Sequence, residues 1–334
     1  MKSKIILIGL ALSLCVYYFF AMLSALETPR HYDGNVSNLY LFIHDSSHPL
    51  VDTNLEGQFP IWKTRPLPQW MTGKIVDFTI RDGISVTKWN GYNFPNYVVA
   101  FASWQAGWLL LTLVTIIGFC WREPLKAAFL SLIVYAGLTY ENNIVAGAWY
   151  FPWDAPILFF FTWATLAWFV GKKWRLEQFY IATICACAFK ETGLVLCLLP
   201  FLTLKIRSMV YAVVLGMVGL LFRDSLMHLF HSLPGFLPYD GASHGFFMGM
   251  LWNLWKNTAE LLSFHLNSFV FIGGGLLVML FGLAKDWETK VFVGAFVLGH
   301  WLFGIGIEFR DFNELLCLSA LVAYNTLKEE KCVC

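Results

Sequence analysis

The stretch that decides the fold is residues 178–203, QFYIATICACAFKETGLVLCLLPFLT, where Lys190 and Glu191 interrupt an otherwise apolar run. A helix needs about 20 apolar residues to cross the hydrocarbon core of a bilayer, so this stretch is long enough for one span. Charges in the middle of a membrane are costly, however. The alternative is two short helices that turn at Lys190-Glu191 near one membrane face.

Apolar runs of this kind recur along the whole chain, and charged residues are scarce. Only 13% of the 334 residues are charged and 58% are hydrophobic, whereas a soluble domain carries roughly 25% charged residues. The net charge of +1 gives no reason to expect nucleic acid as a partner. The candidate membrane segments are 5–26, 97–120, 125–140, 154–171, 178–203, 209–222, 260–283, 289–307 and 312–326.

The first apolar run is better explained as a retained span than as a signal peptide. The apolar core of a signal peptide is about 7–15 residues long, and the run 5–26 continues past that length through Val16-Tyr17-Tyr18-Phe19-Phe20. We therefore expect the N-terminus to stay attached to the membrane.

The positions of basic residues in the short turns favour one of the two interpretations of 178–203. Short loops rich in Lys and Arg stay in the cytoplasm. Six short turns carry basic groups. If the chain turns at Lys190-Glu191, all six lie on the cytoplasmic side, whereas a straight span would place the last three of them outside. These groups are Lys2/Lys4, Arg122/Lys126, Lys172/Lys173/Arg175, Lys205/Arg207, Lys285/Lys290 and Lys328/Lys331. We predict the turn, about nine or ten membrane segments and cytoplasmic termini.

The predicted fold is therefore all-α, a polytopic transmembrane bundle forming one domain over 1–334. Its outer side gathers a first loop at 27–96, a second loop at 223–258 and most of the acidic residues outside the cytoplasmic turns. A 70-residue loop without repeats is usually functional or disordered. The aromatic residues Phe59, Trp62 and Trp70 argue against disorder.

Within the first loop, Asp52 and Glu56 precede Arg65. A carboxylate near the membrane surface can serve as general base for a hydroxyl group, and an arginine can bind two phosphate oxygens. The alternative is that both carboxylates are ordinary solvated loop residues.

Three further residues lie at the ends of apolar segments. Asp154 follows Pro152-Trp153 at the start of a span, where it could line a site or simply cap the helix. Lys190 could act as a point charge for a phosphate, with Glu191 as its partner or as an acceptor for a substrate hydroxyl. A purely structural ion pair that holds the turn is the alternative.

Later in the chain, Arg223 opens the second outer loop, and the segment 308–314 carries Glu308, Arg310, Asp311 and Glu314 beside interleaved Phe residues. Arg310 is a candidate for binding a lipid phosphate. The pair His228 and His231 lacks a third ligand nearby, and the eight cysteines show no CxxC spacing, so no metal site is indicated.

Together these motifs resemble the GT-C class of multispan glycosyltransferases, which use polyprenyl-phosphate sugars. The first outer loop with Arg65-Pro66-Leu67 looks like the acidic first loop of that class, and Trp153-Asp154-Ala155-Pro156 looks like its Asp-led span. Lys190-Glu191-Thr192 is similar to its [Lys/Arg]-Glu turn. The segment from Glu308 to Leu316 is similar to its late Glu-x-Arg…Glu-Leu segment.

The resemblance implies transfer of a sugar from a polyprenyl-phosphate carrier to an acceptor glycan, lipid or protein on the extracytoplasmic face. Asp52 or Glu56 would deprotonate the acceptor. Lys190, Arg310 and either Arg65 or Arg223 would neutralise the leaving phosphate, and Asp154, Glu191 and Glu308 would complete the substrate site. No nucleotide is required, and a divalent metal is possible but not indicated.

The implied location is a bacterial inner membrane, with membrane lipids as partners. Two alternatives stay open at this point. One is a multispan transporter of a lipid-linked or small polar substrate, and the other is a non-catalytic membrane assembly protein. A transporter often shows inverted repeats, which this sequence does not display. An assembly protein would tolerate loss of Lys190, Glu191 and Arg310.

Overall fold

The computed structural model describes residues 2–26, 66–79, 81–82, 85–89, 92–140, 154–171, 174–229, 246–262, 282–303 and 313–330. In these ranges the chain is mostly helical, as predicted. The helices are α1 (Lys2–Leu26), α2 (Pro66–Thr79), α3 (Asn96–Phe119), α4 (Pro124–Tyr140), α5 (Asp154–Phe169), α6 (Arg175–Phe189), α7 (Leu198–Leu202), α8 (Ile206–Leu229), α9 (Phe246–Leu262), α10 (Trp287–Phe303) and α11 (Leu316–Glu330).

Three of these helices are long and apolar enough to cross a membrane. They are the segments Ser3–Leu23, Asn96–Phe119 and Ile206–Leu229, of 21, 24 and 24 residues. Shorter apolar helices occupy Pro124–Thr139, Asp154–Phe169 and Glu191–Leu202. The helix α8 continues to Leu229, beyond the predicted limit at residue 222, so Arg223 belongs to a helix and not to a loop.

The first predicted loop, 27–96, contains regular structure in the part that is described. Helix α2 occupies Pro66–Thr79, and two antiparallel strands, β1 (Val86–Trp89) and β2 (Tyr92–Pro95), pair Val86 with Pro95 and Trp89 with Tyr92. This hairpin is a local departure from the predicted all-α fold. The sequence between the strands is Asn90-Gly91, the pair most typical of two-residue hairpin loops, so the signal was present in the sequence.

The second predicted loop, 223–258, likewise contains most of a helix, α9. Its buried face carries Asn253 and Asn257, whose side-chain amides donate hydrogen bonds to the backbone carbonyls of Leu302 and Trp301 at 3.2 and 2.9 Å. The opposite face exposes large apolar side chains, among them Phe247, Leu251 and Trp255. This helix is therefore polar inside and apolar outside, the reverse of a surface helix in a soluble protein.

The helices pack around two apolar clusters. One joins α1, α3, α4 and α11 through residues such as Tyr18, Leu113, Leu130 and Leu321. The other joins α5, α6, α8 and α10 through residues such as Phe161, Phe179, Leu215 and Phe296. Helices α5 and α11 contribute to both clusters, so they connect the two halves of the described structure.

Candidate functional site

The chain turns at Lys190, as the sequence predicts. Helix α6 ends at Phe189, Lys190 has extended backbone angles (φ −154°, ψ 145°), and a 3-10 segment over Glu191–Cys197 packs back against α6. The returning chain comes very close to the backbone of α6 at Gly193. A Cβ atom there would lie 2.5 Å from the carbonyl carbon of Ala186 and against the amide nitrogen of Cys187. Only glycine fits this position without a backbone shift.

Lys190 forms a buried ion pair with Glu314. The Lys190 Nζ lies 2.7 Å from the Glu314 Oε1, and the two side chains are 2% and 0% exposed. The hydroxyl of Thr192 donates a second hydrogen bond to the same carboxylate oxygen at 2.9 Å. Glu314 sits in a short 3-10 turn at 313–315 that leads into α11. Since an isolated buried charge is very costly, the pairing allows both groups to be buried.

The neighbouring Glu191 pairs with Arg223 of α8. The Arg223 Nη2 lies 3.2 Å from the Glu191 Oε2, and the side chains are 4% and 22% exposed. The Arg223 Nη1 also donates a hydrogen bond to the carbonyl oxygen of Cys187 at 3.3 Å. That carbonyl belongs to the last turn of α6, where the carbonyl groups lack partners within the helix. Arg223 therefore neutralises Glu191 and at the same time caps the C-terminal end of α6.

These four charged residues and Thr192 form a unit that we call the buried charge network: Lys190, Glu191, Thr192, Arg223 and Glu314. It contains two cations and two anions, so its formal charge is zero. Glu191 is its most exposed charged member. Lys190 is almost fully buried and already paired with a carboxylate.

Beside the network lies Asn313, which is 2% exposed. Within the part of the chain that the structure describes, neither its Oδ1 nor its Nδ2 has a hydrogen-bond partner. Native proteins leave few buried polar groups in this state, and each one requires an explanation. A polar group bound next to Glu314 would supply the missing hydrogen bonds.

Asp154 is buried at the first position of α5, with 3% of its surface exposed. The next residue, Ala155, donates its backbone N–H to the Gln105 Oε1 at 3.2 Å, so a side chain of α3 satisfies one of the free amides at this helix start. Helix α5 packs against the 3-10 segment that carries Glu191. The structure thus places Asp154 on a helix that borders the network.

The structure brings together three of the predicted site residues, Lys190, Glu191 and Arg223. Two members of the network were not predicted as site residues, Thr192 and Glu314. The motifs that contain them were recognised, but the sequence shows no pairing between residues 122 positions apart. Asp52, Glu56, Arg65, Glu308 and Arg310 lie outside the described residues.

A group of packed aromatic rings adjoins the network at Phe189. Phe189, which precedes Lys190, has its ring centroid 5.6 Å from that of Trp108 and 5.2 Å from that of Phe160. Trp108 in turn lies 5.5 Å from Trp104, one turn earlier on α3. The rings therefore connect α3, α5 and the end of α6.

One of the two histidines raised by the sequence can be located relative to this site. His228 lies on α8 with its side chain 83% exposed and its Nε2 3.5 Å from Asp224, while His231 lies outside the described residues. In the described ranges, no group of three or more His, Cys, Asp or Glu side chains could hold a metal ion.

Comparison of the chain with protein-family models, with curated proteins and with solved structures found no match.

Proposed function

We propose that this protein is a multispan membrane glycosyltransferase that takes a sugar from a polyprenyl-phosphate carrier on the extracytoplasmic face. The observation that carries the proposal is the ion pair between Lys190 and Glu314. Two of the four motifs behind the resemblance to the GT-C class lie far apart in the chain, the Lys190-Glu191-Thr192 turn and the segment from Glu308 to Leu316. The ion pair joins these two motifs, as expected if both belong to a single site.

The proposed topology has about nine or ten membrane segments, cytoplasmic termini and the network near the outer face of a bacterial inner membrane. Two features of the described structure support it. Several helices expose apolar side chains over long faces, as α8 does at Val213, Met217 and Leu221. The residues of the network also come from the end of α6, the late part of α8 and the turn before α11, which are ends that this topology places on one side.

In the proposed reaction, a hydroxyl oxygen of the acceptor attacks the anomeric carbon of the donor sugar. The bond between that carbon and the phosphate oxygen breaks, and polyprenyl phosphate leaves with the electron pair. Asp52 or Glu56 takes the hydroxyl proton, and the product has the inverted anomeric configuration. Cationic groups near the leaving phosphate stabilise the negative charge that develops there.

The network refines the roles proposed for the cations. Lys190 is buried against Glu314, whose carboxylate also accepts a hydrogen bond from Thr192, so we assign it to positioning the turn. Arg223 pairs with the more exposed Glu191, so it is the cation of the network closest to an incoming phosphate. Arg310 and Arg65 are the proposed phosphate ligands from the outer segments. Asn313, with its amide available, is a further candidate to contact the donor.

Transfer from radiolabelled polyprenyl-phosphate hexoses to host membrane material, catalysed by the purified full-length protein, tests the proposal. We expect Asp52→Asn or Glu56→Gln to abolish transfer. The matched control is Asp82→Asn, since Asp82 is an exposed carboxylate of the same predicted loop. Transfer unchanged in both variants would eliminate these residues as the base. Failure of every donor to bind would eliminate the transferase.

One observation favours a non-catalytic assembly protein as the second candidate. The network is neutral and largely buried, which also suits a purely structural element. The double variant Lys190→Met/Glu314→Met separates the two functions, because it removes both charges together. A structural role predicts that the folded variant keeps its cellular function, whereas the transferase predicts that transfer falls sharply in the folded protein.

A further inference from the structure

An open groove of about 670 Å³ lies between α2 and α3. Its walls include Ile75 of α2 and Val99, Trp104, Trp108 and Leu111 of α3. The volume lies within the range of roughly 300–1,000 Å³ that is typical of ligand sites in proteins. The groove is lined by residues that the transferase proposal does not use.

The side chains that line the groove are mostly apolar. Its three polar side chains apart from the indoles each donate a hydrogen bond to a backbone carbonyl. Thr79 donates to Ile75 at 2.7 Å, Ser103 to Val99 at 2.8 Å, and Asn96 to Thr79 at 2.8 Å. Since these donors are already used, the groove suits a hydrocarbon ligand better than a polar one.

The groove opens along a helix that is long and apolar enough to cross a membrane. Ser103, Gly107 and Leu111 lie along one line of α3 and are exposed, so the open side faces the medium that surrounds such a helix. From Asn96 to Leu111 the helix rises about 22 Å, whereas one leaflet of a hydrocarbon core of about 30 Å measures roughly 15 Å. One extended chain that spans a leaflet therefore fits along the groove.

From these observations we propose that the groove between α2 and α3 is a binding site for an acyl chain of a bilayer phospholipid. The occupant follows from the mostly apolar lining, the length of the groove and its opening on a helix able to span a membrane. The inference does not depend on the transferase, because it uses neither the charge network nor the outer carboxylates.

Gly107 allows a sharp test, because a Cβ atom there would meet nothing within 4 Å. Gly107→Phe should therefore place a ring in the groove without a clash against the backbone. Gly118→Phe is the matched control, since Gly118 is an exposed glycine of the same helix with equally open space, but it does not line the groove. Both variants should keep the elution profile and unfolding midpoint of the unchanged protein.

The probe is a phosphatidylcholine with a diazirine in its acyl chain, added in trace amounts to phosphatidylcholine vesicles that contain the full-length protein. After illumination, mass spectrometry locates the labelled peptides. We expect several-fold more label on residues 96–111 than on the exposed face of α8 around Met217. Gly107→Phe should reduce this excess to the α8 level, and Gly118→Phe should leave it unchanged.

Two results would overturn the proposal. Equal labelling of the groove and of the α8 face would mean that the groove holds no lipid preferentially. Displacement of the label by an equimolar polyprenyl phosphate, but not by excess phosphatidylcholine, would assign the groove to a prenyl chain instead.

Discussion

At the scale of single residues, Lys190 and Glu314 are opposite charges buried against each other. Removing two charges from water costs several kcal/mol for each ion, and only their mutual attraction and further hydrogen bonds offset this cost. The pair is therefore not a large source of stability in itself. Its importance is that neither partner can be removed alone without leaving a buried charge.

Lys190→Met should destabilise the protein by about 3–5 kcal/mol, because the carboxylate of Glu314 then remains buried with Thr192 as its neutral partner. Adding Glu314→Met should restore most of the loss. Thermal unfolding in detergent measures both effects, with Lys205→Met as the control, since Lys205 is an exposed lysine. A single variant as stable as the original protein would show that the pair is solvated.

The residues of the network were only partly predictable. Charges inside apolar stretches stand out in a sequence, and this signal identified Lys190 and Glu191. The partner of each charge depends on which helices meet, and a local pattern does not contain that information. Thr192 and Glu314 were therefore found only in the structure, although both lie in motifs that the sequence analysis quoted.

At the scale of single elements, the turn between α6 and the 3-10 segment depends on the missing side chain of Gly193. Gly193→Ala should destabilise the protein by about 1–3 kcal/mol, because the added methyl group would press against the backbone of Ala186 and Cys187. The control is Gly118→Ala, where the Cβ atom enters open space and alanine favours the helix. Unfolding midpoints of the two variants should therefore move in opposite directions; equal midpoints would refute the close contact.

The elements of the predicted outer loops show where sequence patterns fail. Most of helix α9 falls in the stretch 223–258, which the sequence analysis assigned to an outer loop. In the structure Asn253 and Asn257 face inward and bind carbonyl groups of α10, while the aromatic side chains face outward. A helix with this orientation does not show the usual apolar inner stripe. The spacing of Gly249, Asn253 and Asn257, four residues apart, was the available signal.

At the scale of the whole molecule, charged groups gather toward the two ends of α11. Glu314 precedes the helix and belongs to the buried charge network. Near the other end, Lys328 pairs with Glu123 of the turn between α3 and α4 at 3.3 Å, and Lys285 pairs with Glu329. The basic turns around residues 122–126 and 285 therefore meet the same end of α11, and the sequence prediction places both turns in the cytoplasm.

Reporter fusions to truncated chains test the topology that follows. We expect a fusion after Arg207 to give a fluorescent green fluorescent protein, which requires the cytoplasm, and a fusion after Leu229 to give active alkaline phosphatase, which requires the outer side. The reason is that a turn at Lys190 returns the chain to the inner face before α8 begins. The reverse pattern would mean that 178–203 crosses the membrane as one straight span.

The distance along the chain between the partners of the network has a consequence for biogenesis. Thr192 and Glu314 are 122 residues apart, and at a synthesis rate of about 5–20 residues per second the ribosome needs roughly 6–24 s to cover that interval. During this time Lys190 has left the ribosome without its carboxylate partner. The turn must therefore wait in a polar environment, at the membrane surface or in the insertion machinery, until α11 arrives. A nascent chain halted before residue 314 would keep Lys190 without this carboxylate partner.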